Sequence, residues 1–369
     1  PGWSQWLIRY GWAGVDLFFV LSGFLITGIL IDTKGSSQYF RSFYMRRLLR
    51  IFPLYYLAIF LFFEVFLPYR HGKGSMLEIA CGEQIWYWTY LVNWRDVAGH
   101  TIGSLIHFWS LSIEEQFYLI WPLAVWLCPS NRIHVLGLGA GAFSLLARAV
   151  FEFCGADPEF LHRATITRID TLAVGALLAV VVRNRIWAER VESRLKIIVL
   201  PTLGALILVF RASLHGNFVG TFTLAYILLA ALFGGMVFHC ATKTGNSSLL
   251  CRVMRWRILR SYGKFSYSIY IFHMLVYSWV RLPVMSFMKS LAPPIAGMVA
   301  MLAGMLAALL FGQVTWHLLE KRFLAMKHRF AYALPAAREK CNPAGNWACA
   351  QTLQPCASLR KNANQEYAN

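Results

Sequence analysis

Residues 107–123 read HFWSLSIEEQFYLIWPL. The run is apolar and aromatic, yet two adjacent carboxylates, Glu114 and Glu115, sit inside it. An ionised residue at membrane depth costs at least about 2.5–3.5 kcal/mol on insertion scales, so such residues tend to face a cavity or a partner. Two in a row, with His107 two turns earlier, mark a site.

The rest of the chain has the same character. Of its 369 residues 58% are hydrophobic and only 14% charged, against about 25% charged in a soluble domain. The runs Phe218–Phe238 and Leu291–Trp316 contain no charge at all. Neither alternates like a strand, so helices satisfy the backbone, and the fold class is all-α, a polytopic helical membrane protein. Fourteen Trp and sixteen Tyr suit helix ends at the interface. The net charge of +18 would point to nucleic acid in a soluble protein. Here the basic residues punctuate apolar runs, so their partner is the lipid bilayer and not nucleic acid. The eight cysteines show no metal spacing and no CxxC, and read as free thiols in a reducing compartment. Cys341, Cys349 and Cys356 lie in the tail.

Apolar runs recur near 12–31, 51–68, 79–94, 107–128, 133–151, 165–182, 195–213, 218–240, 262–282 and 291–319. Arg41, Arg46, Arg47 and Arg50 crowd what reads as a loop after the first run, which places that loop in the cytoplasm. If every run spans, the basic loop 183–196 falls outside. If the run at 79–94 does not span, the loops 183–196 and 252–264 and the end Lys321–Arg329 all lie inside. The expectation is therefore about nine spanning helices plus one re-entrant or interfacial segment, with residues 1–330 as the transmembrane domain. Residues 331–369 are polar and read as a disordered cytoplasmic tail. The sequence opens at Pro1 without an initiator Met, and an upstream helix would put the N-terminus in the cytoplasm as well.

Several segments carry candidate chemistry. GVDLFFVLSGFLI (Gly14–Ile26) holds one charge, Asp16, and the small pair Ser22–Gly23; Asp16 either faces a partner or snorkels at the helix end. In RRLLRIFP, Arg47 and Arg50 are three apart and share a helical face. Two guanidinium forks suit a phosphate-bearing ligand, or else lipid headgroups. His107, Ser110 and Glu114 fall on one face, but His107 and Glu114 are about 10 Å apart along the axis, too far for a direct bond. Glu114 can orient a base or a sugar hydroxyl, or serve as a buried ion-pair partner. Arg168 and Asp170 in RIDTLAVGALLA are spaced by two, so each needs another partner, in an interior cavity or in a structural pair. His273 in SYSIYIFH is a packing residue or a base. Glu320 in WHLLEKRF has Lys321 and Arg322 beside it, and a surface pair is the default.

Taken in order, GVDLFFVLSGFLI, RRLLRIFPLYYL, HFWSLSIEEQFYLIWPL, RIDTLAVGALLA and SYSIYIFH resemble the membrane acyltransferase 3 family. The resemblance runs from about Gly14 to Glu320 and is most specific in WSLSIEEQFY. It implies a bacterial inner-membrane enzyme that moves an acyl, typically acetyl, group from acyl-CoA on the cytoplasmic side to a hydroxyl of a cell-surface carbohydrate or glycolipid. It implies that Arg47 and Arg50 handle CoA and that Asp16 and Glu114 or Glu115 line the reaction cavity. Ser110, Arg168, Asp170 and His273 complete the expected cavity. No cofactor or metal is implied. The family's first helix carries a basic residue and, about ten residues on, a catalytic His; this sequence begins after that helix. Within it, His107 and His273 are the imidazoles left for the role. Where the family often has Glu-x-Pro, this chain has Glu320-Lys321-Arg322. The rival readings are a catalytically inactive remnant and a transporter of a lipid-linked glycan, although no inverted repeat is visible.

Overall fold

The computed structural model describes residues 13–66, 75–99, 102, 105–213, 221–243, 248–288 and 293–332. The tail and its three cysteines lie, beyond Tyr332, outside the described residues. Among those described, the regular elements are helices, and there is no strand. In chain order they are α1 (Gly14–Thr33), α2 (Tyr39–Phe60, continued by a π-helical turn to Phe66), α3 (Ser75–Trp88), α4 (Val92–Val97), α5 (Phe108–Leu127), α6 (Ile133–Phe153), α7 (Pro158–Arg163), α8 (Ile169–Val181), α9 (Arg185–Ser213), α10 (Thr221–Thr242), α11 (Leu249–Met254), α12 (Arg257–Lys264), α13 (Ser266–Phe287), α14 (Pro293–Thr315, prolonged by a π-helical turn to Glu320) and α15 (Lys321–Ala325).

Among the described residues, five helical stretches are long and apolar enough to cross a membrane: Gly14–Thr33, Tyr39–Phe66, Ser130–Phe153, Phe222–Thr242 and Ile295–Phe330. Ile169–Val181 and Ile197–Val209 are apolar but shorter. The segment expected not to span is broken. α3 and α4 are separate, with Tyr90 between them at φ 55°, and the 14 residues of α3 rise only about 21 Å against a hydrocarbon core of about 30 Å.

One expectation needs correction. Arg46, Arg47 and Arg50 lie on α2 rather than in a loop, and the basic stretches 183–196, 252–264 and 321–329 are largely helical too. The hydrogen-bond ladder does not stop where hydropathy falls; a helix longer than the hydrocarbon core carries its charged end into the headgroup layer.

The chain divides into two compact units. One contains 41–109 and Leu249–Ala331, the other 13–40 and Ser110–Ser248. In the first, an aromatic cluster ties α2 to the α3–α4 break: Tyr55 stacks on Tyr90 with centroids 4.0 Å apart, and its hydroxyl donates to Tyr87 O at 2.8 Å. The Arg95–Glu83 ion pair closes that segment. α13 packs on α14, where Gly312 faces Ile269 and Phe265. In the second unit α8 packs against α1, α6 and α10. Its crossing with α1 is backbone to backbone. A Cβ on Gly23 would lie 2.0 Å from Leu172 O, and one on Gly175 2.0 Å from Val20 O. Only glycine permits that approach. Val20, Phe24, Ala179 and Val237 form the core beside it.

Gly175→Ala is therefore expected to force α1 and α8 apart and cost about 1–3 kcal/mol, seen as a lower thermal midpoint in detergent. Gly139→Ala on α6, where nothing lies within 4 Å, should leave the midpoint unchanged or slightly higher. Equal midpoints for the two variants would contradict the close crossing.

Candidate active site

In the second unit, the crossing brings Asp16 of α1 to Arg168, at the start of α8. Arg168 Nη2 donates to Asp16 Oδ1 at 2.7 Å, and both side chains are fully buried. Asp170 has a different partner. Arg148 of α6 donates to its Oδ2 at 2.6 Å and to Thr167 O at 2.7 Å. Arg168 and Asp170 thus point to separate partners, as their spacing requires. Tyr226 of α10 lies beneath both cations, 3.9 Å from the Arg168 guanidinium carbon and 4.9 Å from that of Arg148. Its hydroxyl is 2.5 Å from His162 Nδ1. Two carboxylates and two guanidiniums cancel, which is how buried charge becomes tolerable. Asp16 does not snorkel. Its Oδ2 has no hydrogen-bond partner among the described residues.

A second cluster of the same unit centres on Glu114 of α5, which is buried. Its carboxylate accepts from Ser22 Oγ of α1 at 2.5 Å and from the Tyr118 hydroxyl one turn on. Ser22 and Tyr118 are themselves 2.6 Å apart. Trp121 Nε1 donates to Thr27 Oγ1 at 2.9 Å and locks α5 against α1. Ser110 is buried on α5 and Glu115 half-buried.

The first unit holds the two candidate histidines. His107, just before α5, and His273 of α13 meet with ring centroids 4.6 Å apart. His107 Nε2 is 3.2 Å from Ile271 O, and the Tyr270 hydroxyl donates to His107 O at 2.7 Å. His273 Nδ1 is 2.7 Å from Tyr270 O. A carbonyl can only accept, so Nδ1 carries the proton and Nε2 the lone pair in neutral His273. One turn earlier, Ser268 donates to Glu320. Glu320 is buried, which corrects the surface pair expected for it. Consecutive residues on a helix point about 100° apart, so Lys321 and Arg322 are not its natural partners. On α2, Arg46 donates to Lys327 O at 3.0 Å, Arg47 lies 5.9 Å over the Phe43 ring and Arg50 is exposed.

Arg148, Tyr226, Tyr118 and His162 are absent from the sequence-based site. Arg148 carried a usable signal, as the only Asp, Glu, Lys or Arg between Arg132 and Glu152. No group of three or more His, Cys, Asp or Glu able to hold a metal occurs among the described residues. Cys128 and Cys154 are in no disulfide.

Comparison with known proteins adds a family. The profile described as "Acyltransferase domain" matches residues 3–316. The chain is 29% identical over 281 residues to the peptidoglycan O-acetyltransferase OatA of Listeria monocytogenes, covering 71% of this chain and 44% of the relative. It is 31% identical over 297 residues to the O-acetyltransferase OatA of Staphylococcus aureus, covering 73% and 46%. The chain therefore spans less than half the length of these relatives. No solved structure matches.

Arg168→Met would leave Asp16 as a buried charge without its cation, a loss of about 3–5 kcal/mol. The double variant Asp16→Leu, Arg168→Met removes both charges and is expected to recover much of that loss in a thermal-unfolding assay. Additive losses would show that the pair is not a closed unit.

Proposed function

The chain belongs to the acyltransferase domain family, and from that premise we propose that it is a membrane-bound O-acyltransferase that moves an acetyl group from acetyl-CoA to a hydroxyl of a cell-surface carbohydrate. The observation that carries the reading is the family match over residues 3–316. The named activities of the two relatives, O-acetyl transfer in both and peptidoglycan in the Listeria protein, favour a cell-wall glycan as acceptor. About nine helices span the bacterial inner membrane, and residues 331–369 form a cytoplasmic tail.

Transfer requires the acceptor oxygen to attack the thioester carbonyl carbon while its proton leaves. A C–O bond forms, the C–S bond breaks, and the departing CoA thiolate takes up the proton. A positioned base contributes typically about 10²–10⁴-fold. We assign that task to the imidazole pair, with His273 Nε2 as acceptor and His107 packed against its ring. The Nδ1 contact of His273 to Tyr270 O supports this tautomer. Arg47 and Arg50 bind CoA phosphates. Glu114 and Glu115 orient acceptor hydroxyls, with Ser110 beside Glu114 on the helix. Within the second unit, Asp16, Arg168 and Asp170 hold the helices in place.

The test is transfer of radiolabel from acetyl-CoA to cell-wall glycan by membranes containing the complete gene product. Arg50→Ala is expected to raise KM for acetyl-CoA about tenfold, equivalent to about 1.4 kcal/mol of binding, with kcat nearly retained; an unchanged KM removes the donor role. His273→Gln keeps an amide near Tyr270 O but cannot take a proton. It should lower kcat at least about 100-fold at constant KM, and activity within threefold of wild type would reassign the base.

A further inference from the structure

The stretch Leu249–Lys264, LLCRVMRWRILRSYGK, takes no part in the proposed chemistry. It forms α11 and α12, joined at Arg255–Trp256. Every residue from Arg252 to Arg260 is exposed. Five of those nine are large and apolar: Val253, Met254, Trp256 at 62% exposure, Ile258 at 56% and Leu259. Leaving such surface in water is unfavourable in proportion to its area. The same stretch carries Arg252, Arg255, Arg257, Arg260 and Lys264 and no acidic residue.

The two characters are sorted by face. At 100° per residue, Arg257, Arg260, Ser261 and Lys264 fall on one side of α12, and Ile258, Leu259 and Tyr262 on the other. α12 is anchored at its end. The Tyr262 hydroxyl reaches Met305 O at 3.4 Å, and Lys264 Nζ lies 5.4 Å from the Trp316 ring centroid. An anchored, short, cationic helix with an exposed apolar side matches a bilayer interface: the apolar side enters the acyl boundary and the cations meet phosphates.

We propose that Leu249–Lys264 lies in the plane of the membrane surface and forms a binding site for anionic phospholipid headgroups, with Arg252, Arg255 and Arg257 as their ligands and Trp256, Ile258 and Leu259 as the inserted side. The occupant follows from charge complementarity: five cations without a carboxylate among them select a negatively charged headgroup over a zwitterionic one. The site is independent of the acyltransfer reading and stands or falls without it.

The experiment uses the full chain in vesicles of phosphatidylcholine and phosphatidylglycerol at equal amounts. A nitroxide is placed at Ile258→Cys in a background whose native cysteines are serine. The label is expected to be accessible to oxygen and shielded from a water-soluble nickel chelate; a label open to the chelate overturns the insertion and points to a water-facing surface for another protein. The triple variant Arg252→Gln, Arg255→Gln, Arg257→Gln is then purified from the same mixture. Its retained phosphatidylglycerol-to-phosphatidylcholine ratio should fall at least about twofold relative to the unmutated chain. An unchanged ratio, with both proteins monodisperse, overturns the headgroup site.

Discussion

The backbone contact between α1 and α8 is the constraint on which the second unit depends. Gly23 rests on the Leu172 peptide and Gly175 on that of Val20. Inside a bilayer no hydrophobic force draws helices together, so association relies on close packing and on polar pairs. Here one contact supplies both. With the backbones in touch, Asp16 reaches Arg168 and Thr171 reaches the same carboxylate at 3.4 Å. α8 then presents Asp170 to Arg148 on α6, whose Gly137 lies against Leu177. Tyr226 brings α10 under both guanidiniums. Four helices are thereby joined by charges that none could bury alone.

Much of this was legible as outliers and little of it as pairs. Asp16, Glu114, Arg168 and Asp170 stand out because a charge in an apolar run demands an explanation. Their partners do not stand out. Asp16 and Arg168 are 152 residues apart, and no local rule connects them. Spacing gives only the negative result that Arg168 and Asp170 do not serve each other; Arg168 pairs with Asp16 and Asp170 with Arg148. Arg148 carries the same outlier signal as Asp16, but its neighbours form no recurring motif. Tyr226 and Tyr118 carry none, because tyrosine is common at helix ends in such a chain.

Two sequence readings differ from the structure, each for its own reason. Hydropathy marks where a helix leaves hydrocarbon, not where its hydrogen bonds end, so the basic stretches around Arg46 and Arg257 look like loops in sequence although they are largely helical. The sequence neighbours of Glu320 suggest a surface pair, whereas the helix turns it towards Ser268. The glycines could not be read at all in this way. Gly23 and Gly139 look alike in sequence, yet one touches a backbone and the other faces open space.

The described donors divide four of the buried carboxylates into two kinds. Asp16 and Asp170 are held by guanidiniums, whose planar fork fixes geometry and cancels charge. Glu114 and Glu320 accept from hydroxyls, Ser22 and Tyr118 for the first and Ser268 for the second. A hydroxyl rotates, and it can accept as well as donate. A carboxylate solvated by hydroxyls can exchange one of them for a sugar hydroxyl of the same chemistry at little cost. A carboxylate locked to arginine cannot do so without stranding a buried cation. The arginine-paired aspartates are thus suited to holding helices in place. That distinction follows from donor chemistry rather than from burial, since Asp16 and Glu114 are both buried.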